Sequence, residues 1–372
     1  MVRWPRLWAI LAAILPLIGA RAGDASPPLA DGPSDGPAVQ AGVPLRFPSD
    51  HGAHPQFRTE WWYITGRLLT EDHRDLGFQV TFFRTRPAAD DGNPSRFAPK
   101  QILFAHVALS DPAIGRLLHD QRAARAGFGL AEASVADTDI VLDDWSLKRA
   151  AEGTFTAQMA GDGVSLDLDL APTQPVLLQG DNGYSRKGPG PNEASYYFSL
   201  PHLRVSGKIT EGGAPAHVTG EAWLDREWST TLLDPGAVGW DWLGVNLDDG
   251  GALTVFQIRD AAGRPIWAGG SWRAADGGMT RLGPQDVRFD TERVWRSPRT
   301  GTDYPVERRV TVKLADGERQ FRVKPLFDDQ ELDSRQGGGP VYWEGAVQVE
   351  DGGADGGQGY LELTGYFEKL KL

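Results

Sequence analysis

The chain of 372 residues has no cysteine and only three methionines. Without thiols there is no disulfide framework, no thiol nucleophile, no iron–sulfur cluster and no cysteine-ligated zinc. An N-terminal lipid anchor on cysteine is excluded as well, and the fold must be held by its core, which a chain of this length can supply. Basic residues are the minority, 38 against 50 acidic, for a formal charge of −12. That field repels phosphate backbones and anionic lipid, so no nucleic-acid partner is expected. There is no Gly-x-Ser-x-Gly elbow, since Gly183-Tyr184-Ser185-Arg186-Lys187 misses the final glycine, and no His-Glu-x-x-His pair. No short repeat of fixed period occurs, which disfavours solenoids and propellers.

What is present begins with a targeting pattern. Arg3 and Arg6 precede an apolar run from Leu7 to Ile18, and Ala20-Arg21-Ala22 supplies a small-x-small cleavage site. The run contains Pro16 and falls short of the roughly 20 residues that span a bilayer. The pattern predicts a signal peptide over 1–22, a periplasmic or secreted protein, and no stable membrane insertion. Arg3, Arg6 and Arg21 are the only charged side chains in that segment, so its removal leaves a still more acidic protein. Residues 23–42, rich in Ala, Gly, Pro, Asp and Ser without periodicity, read as a flexible leader.

Beyond the leader, period-2 alternation dominates. Val164, Leu166, Leu168 and Leu170 point one way, and Ser165, Asp167 and Asp169 the other, as in a half-buried strand. Phe78-Val80-Phe82, Leu253-Val255 and Val310-Val312-Leu314 repeat the pattern, and Gly161-Asp162-Gly163, Asp248-Asp249-Gly250-Gly251 and Asp316-Gly317 mark turns. Only the stretch Arg116 to Arg125 reads as helical. Many short strands with Gly/Asp turns predict an all-β protein of antiparallel barrels or sandwiches. A Gly-rich stretch from Gly207 to Pro215 predicts a division into 43–206 and 207–372.

Tryptophans cluster beside charged residues, in Arg58-Thr59-Glu60-Trp61-Trp62-Tyr63, Trp223-Leu224-Asp225-Arg226-Glu227-Trp228, Gly239-Trp240-Asp241-Trp242 and Tyr342-Trp343-Glu344-Gly345. On a strand, Trp223 and Asp225 share one face and Leu224 and Arg226 the other. A carboxylate beside an indole on a buried face is costly unless paired or functional. Burial of that kind also produces a carboxylic acid of raised pKa. A structural reading competes: a Trp near a Gly and an Arg can plug one end of a barrel, as Gly220-x-x-Trp223 with Arg226, or Trp61 with Arg58. Asp225 would then be ion-paired with a nearby arginine. His51, His54 and His106 offer three imidazoles, but no complete ligand set is visible and no metal is expected.

Several runs resemble the AttH-like/CrtC-like family. They are His51-Gly52-Ala53-His54-Pro55-Gln56-Phe57-Arg58-Thr59-Glu60-Trp61-Trp62-Tyr63, Ala105-His106, Gln179-Gly180-Asp181, Gly183-Tyr184-Ser185-x-Lys187-Gly188, Ala194-Ser195-Tyr196-Tyr197, the three Trp-containing segments after residue 220, and Gly359-Tyr360-x-Glu362-Leu363-Thr364-Gly365-Tyr366. The likeness runs from about Val43 to the C-terminus. It implies two tandem lipocalin-like (calycin) antiparallel barrels. The family includes carotenoid 1,2-hydratases (hydroxyneurosporene synthases), which have an aromatic-x-Asp element with Tyr where Trp223 stands here. It also includes exported proteins encoded beside ABC transporters and labelled secreted hydrolases.

Three functions follow as expectations. The first is an exported binder of an apolar isoprenoid or lipid-like molecule, working with an ABC transporter permease. The second is a cofactor-independent hydro-lyase that adds water to a C=C bond by Asp225 acid catalysis, and the third is a secreted hydrolase. The residues expected at the site are Asp225 and Glu227 as catalytic carboxylates. Trp61, Trp62, Tyr63, His106, Tyr184, Trp223, Trp228, Trp240, Trp242 and Trp343 are expected to bind substrate, with no cofactor.

Overall fold

The computed structural model describes residues 36–370 except 88–94, 96–97 and 338. The predicted signal peptide and most of the leader lie outside the described residues. Residues 36–42, expected to be flexible, are seated on the fold. Val39 is buried among Phe57, Tyr196 and Trp228, and the Gln40 N–H donates to the Tyr196 hydroxyl at 3.1 Å.

The protein is all-β. Its first sheet runs through β1 (Thr59–Thr70), β2 (Asp75–Thr85), β3 (Ile102–Asp111), β4 (Arg116–Arg125), β5 (Ala131–Ala133), β6 (Asp139–Leu142) and β7 (Trp145–Arg149), then β8 (Phe155–Ala160), β9 (Val164–Pro172), β10 (Leu177–Leu178), β11 (Tyr184–Arg186), β12 (Ala194–Glu211) and β13 (Ala214–Ser229). The spatial order is β4-β3-β2-β1-β13-β12-β9-β8-β7-β6-β5, a nearly closed antiparallel barrel, with β10 and β11 pairing onto β12. The second sheet holds β14 (Ala237–Leu247), β15 (Ala252–Asp260), β16 (Pro265–Arg273), β17 (Met279–Leu282), β18 (Val287–Arg296), β19 (Asp303–Leu314), β20 (Gly317–Pro325), β21 (Glu331–Asp333), β22 (Val341–Asp351) and β23 (Ala354–Leu363). Its order is β17-β16-β15-β14-β23-β22-β20-β19-β18.

Two expectations are corrected. The stretch 116–125 is strand β4, because every residue in it pairs with β3 and that pairing overrides its helix-forming composition. The division placed at 206/207 falls inside β12, whose residues through Glu211 pair with β13 in the first sheet. The chain changes sheets only between Ser229 and Ala237.

Alternation assigns each strand residue to one of two environments. Ile64, Phe78, Val80, Phe82, Leu168 and Leu224 fill the first barrel. Leu243, Val245, Val255, Val310, Phe321 and Trp343 fill the second. Full burial of side chains of this size contributes about 1.5–3 kcal/mol each, which is how a fold without cross-links is held. Residues of opposite parity form a seam where the outer faces of β1–β3, β12 and β13 meet those of β14, β15, β22 and β23. Tyr63, Trp223, Trp242, Phe256, Ala346 and Tyr360 pack there. Gly77 permits the approach: a Cβ on it would stand 2.5 Å from that of Ala346. His202 ties the sheets by polar contacts, its backbone N–H donating to Asn246 at 3.0 Å while its ring meets the Gly251 carbonyl at 2.7 Å.

Each barrel is closed at one end by a buried carboxylate between two arginines. In the first, Glu60 is fully buried and pairs with Arg84 and Arg226. Burial opposes its ionisation, but Arg226, His54 and Arg84 outweigh that and hold it well below the ordinary carboxylate value. The Arg226 guanidinium lies 3.8 Å from the Trp62 ring centroid and donates to the Gly52 carbonyl at 2.5 Å. In the second, Asp241 pairs with Arg259 at 2.8 Å and Arg308 at 3.1 Å. The barrel plug anticipated around Arg226 therefore exists, but its indole is Trp62 and not Trp223.

Candidate active site

A cavity opens in the seam and, together with the open space at its mouth, spans about 1110 Å³. Neither barrel's interior contributes it. The first sheet supplies Trp61 and Tyr63 from β1, Phe83 from β2, Phe104 and His106 from β3, and Asp225 and Glu227 from β13. The second supplies Trp240 and Trp242 from β14, Phe256 and Ile258 from β15, Tyr342 from β22 and Glu362 from β23. Strand register assembles the first group: Trp61 stands opposite Glu227 and Phe83, Tyr63 opposite Asp225, and Thr81 opposite His106.

Asp225 is 3% exposed and accepts three hydrogen bonds from neutral donors. Ser199 Oγ donates to Oδ1 at 2.5 Å, Trp223 Nε1 to Oδ1 at 2.6 Å and the Tyr197 hydroxyl to Oδ2 at 2.6 Å. Burial raises its pKa to about 7; the three donors oppose the rise and the Glu227 charge adds to it. No arginine pairs with it among the described residues, so the ion-pair reading gives way. The neighbouring Arg226 points to the opposite face, into the Glu60 plug. Trp242 Nε1 donates to the Tyr197 hydroxyl at 3.1 Å, which ties the second sheet to the Asp225 network.

Glu227 accepts from Ser195 and meets Lys187 Nζ at 2.9 Å. The ammonium also lies over the Phe256 and Tyr197 rings, at 4.1 and 4.5 Å. Glu362 accepts from Trp240 Nε1 at 2.8 Å. Burial, with smaller contributions from the Asp225 and Glu227 charges, lifts its pKa to about 7. His106 Nδ1 contacts the Tyr342 hydroxyl at 2.9 Å across the seam. Burial pushes the imidazole down to about 3, so its ring is neutral at physiological pH.

Of the residues expected at the site, Asp225, Glu227, Trp61, Tyr63, His106, Trp240 and Trp242 line the cavity. Trp223 stands behind it and orients Asp225. Four others do not reach it either. Trp62, the strand neighbour of Trp61, points into the first barrel, where its indole donates to the His51 carbonyl at 2.8 Å. Trp228 stacks on His54 at 3.8 Å beyond the far face of β13. Tyr184 packs with Leu45 beside Tyr196. Trp343 is a core residue of the second barrel, its indole donating to the Asp328 carbonyl at 2.7 Å. His51 packs against Phe155 and Phe198 on the barrel side, away from His106. Among the described residues no cluster of three His, Asp or Glu side chains suited to a metal is found.

Sequence reasoning missed Glu362, Tyr342, Lys187, Tyr197 and Ser199. All but Ser199 belong to segments singled out for their resemblance, but only the contact between sheets shows that they converge.

Comparison with known proteins agrees with this frame. No match is found among curated proteins. Kievitone hydratase from Nectria haematococca superposes with a TM-score of 0.65 at 15% identity, covering 90% of this chain and 97% of the other. CghA, solved with Sch210972, gives 0.57 at 16% identity, covering 91% and 97%. Both share the fold. A candidate AttH from Nitrosomonas europaea is 51% identical, with a TM-score of 0.83, covering 89% of this chain and 99% of its own. With the AttH-like profile matching residues 38–366, the two lipocalin-like barrels and the aromatic seam have their assignment: the chain belongs to the AttH-like family.

Proposed function

We propose that the protein is a cofactor-independent lyase that adds water to a carbon–carbon double bond of an apolar, isoprenoid-like molecule held in the seam. One observation carries the reading: Asp225 lines an aromatic pocket, is held by three neutral donors and enters no ion pair among the described residues. Carboxyl groups kept protonatable near neutral pH are the signature of acid–base work. Kievitone hydratase, similar in fold, is by name a hydratase, and the proposal brings that class of chemistry here.

In the proposed step the π pair of the alkene takes the Asp225 proton, forming a C–H bond and leaving positive charge on the adjacent tertiary carbon. Aromatic faces of the wall, such as Trp61 and Trp242, stabilise the cation. A water oxygen closes the C–O bond, and the proton it sheds passes to the Glu362 carboxylate. Return of one proton from Glu362 to Asp225 resets the site, so the net change is addition of one water. Glu227, paired with Lys187, lines the same pocket.

The test is an incubation of native protein with an acyclic isoprenoid carrying a terminal trisubstituted alkene in ¹⁸O-labelled water. Label should enter the product as a tertiary alcohol, and Asp225→Asn should lower turnover about 100-fold or more. Tight binding without incorporation under any condition would instead support carriage of the same ligand, which the apolar walls of Phe83, Phe104, Phe256 and Ile258 also suit. In either case the proposal includes export and, for carriage, a transporter partner.

A further inference from the structure

A carboxylate in no ion pair among the described residues stands behind the wall of the pocket. Glu344 on β22 is fully buried, and neither of its carboxyl oxygens closes a well-formed hydrogen bond among the described residues. Directly opposite on β23 is Glu362, which reaches the pocket. Opposed residues of antiparallel strands stand about 5 Å apart at Cβ, and two like charges so placed and shielded from water repel strongly.

Among the described residues the surroundings supply no counter-charge. Tyr63 of β1, Gln79 of β2 and Tyr342 of β22 crowd the Glu344 carboxyl. Around them stand neutral His106 of β3, Tyr360 of β23 and the acids Asp225 and Glu227 of β13. The cations of the neighbouring segments are committed elsewhere, Arg67 to Asp75 and Lys187 to Glu227. Burial above all, with the Glu362 charge added, lifts Glu344 well above the ordinary carboxylate range.

We propose that Glu344 and Glu362 share a single proton, with Glu344 as the positioning residue that keeps it so that Glu362 faces the pocket ionised. The two environments sort the roles. Trp240 donates an N–H to Glu362 at 2.8 Å and favours its anion, whereas Tyr63, Tyr342 and Gln79 beside Glu344 close no well-formed bond to it and only partly offset its burial. A neutral Glu344 lets a carboxylate stand in a pocket that otherwise disfavours one, ready to take the proton shed by water. The inference rests on the acid–base reading of the pocket, but the shared proton is observable without turnover.

The experiment is infrared spectroscopy of the full chain in D₂O at about pH 8, where an isolated carboxyl would be ionised. Native and Asp225→Asn protein should both show the carbonyl band of a protonated carboxyl, and Glu344→Gln should lack it. Because Gln mimics the neutral acid, Glu344→Gln should keep turnover within a few-fold, while Glu362→Gln should lose about 100-fold. Should Glu344→Gln fail to fold, carboxyl ¹³C shifts of native protein labelled at glutamate carry the same test, with one glutamate keeping the shift of a neutral acid. A native protein with no protonated carboxyl at that pH, or a band that survives in Glu344→Gln, overturns the proposal. A band that behaves as expected in a protein that hydrates nothing leaves the shared proton standing and removes the lyase.

Discussion

Replacing Asp225 by Asn should make the protein more stable above neutral pH. The carboxyl moves from an ordinary 3.8 to about 7 on folding because burial disfavours its anion. At about 1.4 kcal/mol per pKa unit, ionising it in the native state costs on the order of 4 kcal/mol. The native state binds a proton that the unfolded state releases between pH 3.8 and about 7. Stability from this group is therefore complete below the unfolded pKa, declines as pH rises, and is gone above the folded pKa. Asn carries no charge, so the variant escapes the decline. Its amide can still accept from Ser199 and Trp223 at the Oδ1 position, but the Tyr197 hydroxyl must turn to accept, at a loss of about 1 kcal/mol. Urea unfolding should thus find the variant more stable by roughly 2–3 kcal/mol at about pH 8, with the order reversed at about pH 4. A variant several kcal/mol less stable at both pH values would refute the reasoning, since that is the behaviour of a carboxylate paired with a buried cation.

Three further outcomes are expected. Glu60→Gln strands Arg226 and Arg84 at the barrel end and should cost about 3–5 kcal/mol at neutral pH, read by urea unfolding; the native protein should lose the same contribution in acid, because the pair acts above the unfolded carboxylate pKa. Trp240→Phe removes the indole donor from Glu362 and should raise its apparent pKa, seen as a shift of the acid limb of the pH–rate profile to higher pH. Protein recovered from its native host should begin near Gly23, which N-terminal sequencing decides; an intact Met1 would contradict export.

The strand pattern and the tryptophan–carboxylate clusters were legible from the residues because alternation is a property of the backbone. Adjacent residues of a strand cannot share a face, so Trp61 and Trp62, or Asp225 and Arg226, had to part. Which face would be the pocket was not legible. Parity sorts residues into two sets without saying which set meets a second sheet, and Trp62, Trp228 and Trp343 fell on the core or far side. β4 misled for a related reason. Most of its residues are half-buried whichever face they take, so no alternation marked it as a strand. Glu362 lies more than a hundred residues from Asp225, and only the packing of the second sheet against the first brings both carboxyl groups into one pocket.

The two buried carboxylate–arginine plugs have a consequence for how this architecture diversifies. Each barrel is filled and closed on its own, by Glu60 with Arg84 and Arg226 or by Asp241 with Arg259 and Arg308. The groove between them is then free of the duty of holding either barrel together. Side chains such as Phe83, Phe104 and Ile258 can be exchanged to reshape the groove while both cores keep their packing. Ligand preference can drift by single substitutions along the seam, and descendants with different chemistry can keep one frame. A library confined to those wall positions should retain folded protein in most members, whereas the same diversity placed at the plugs should not.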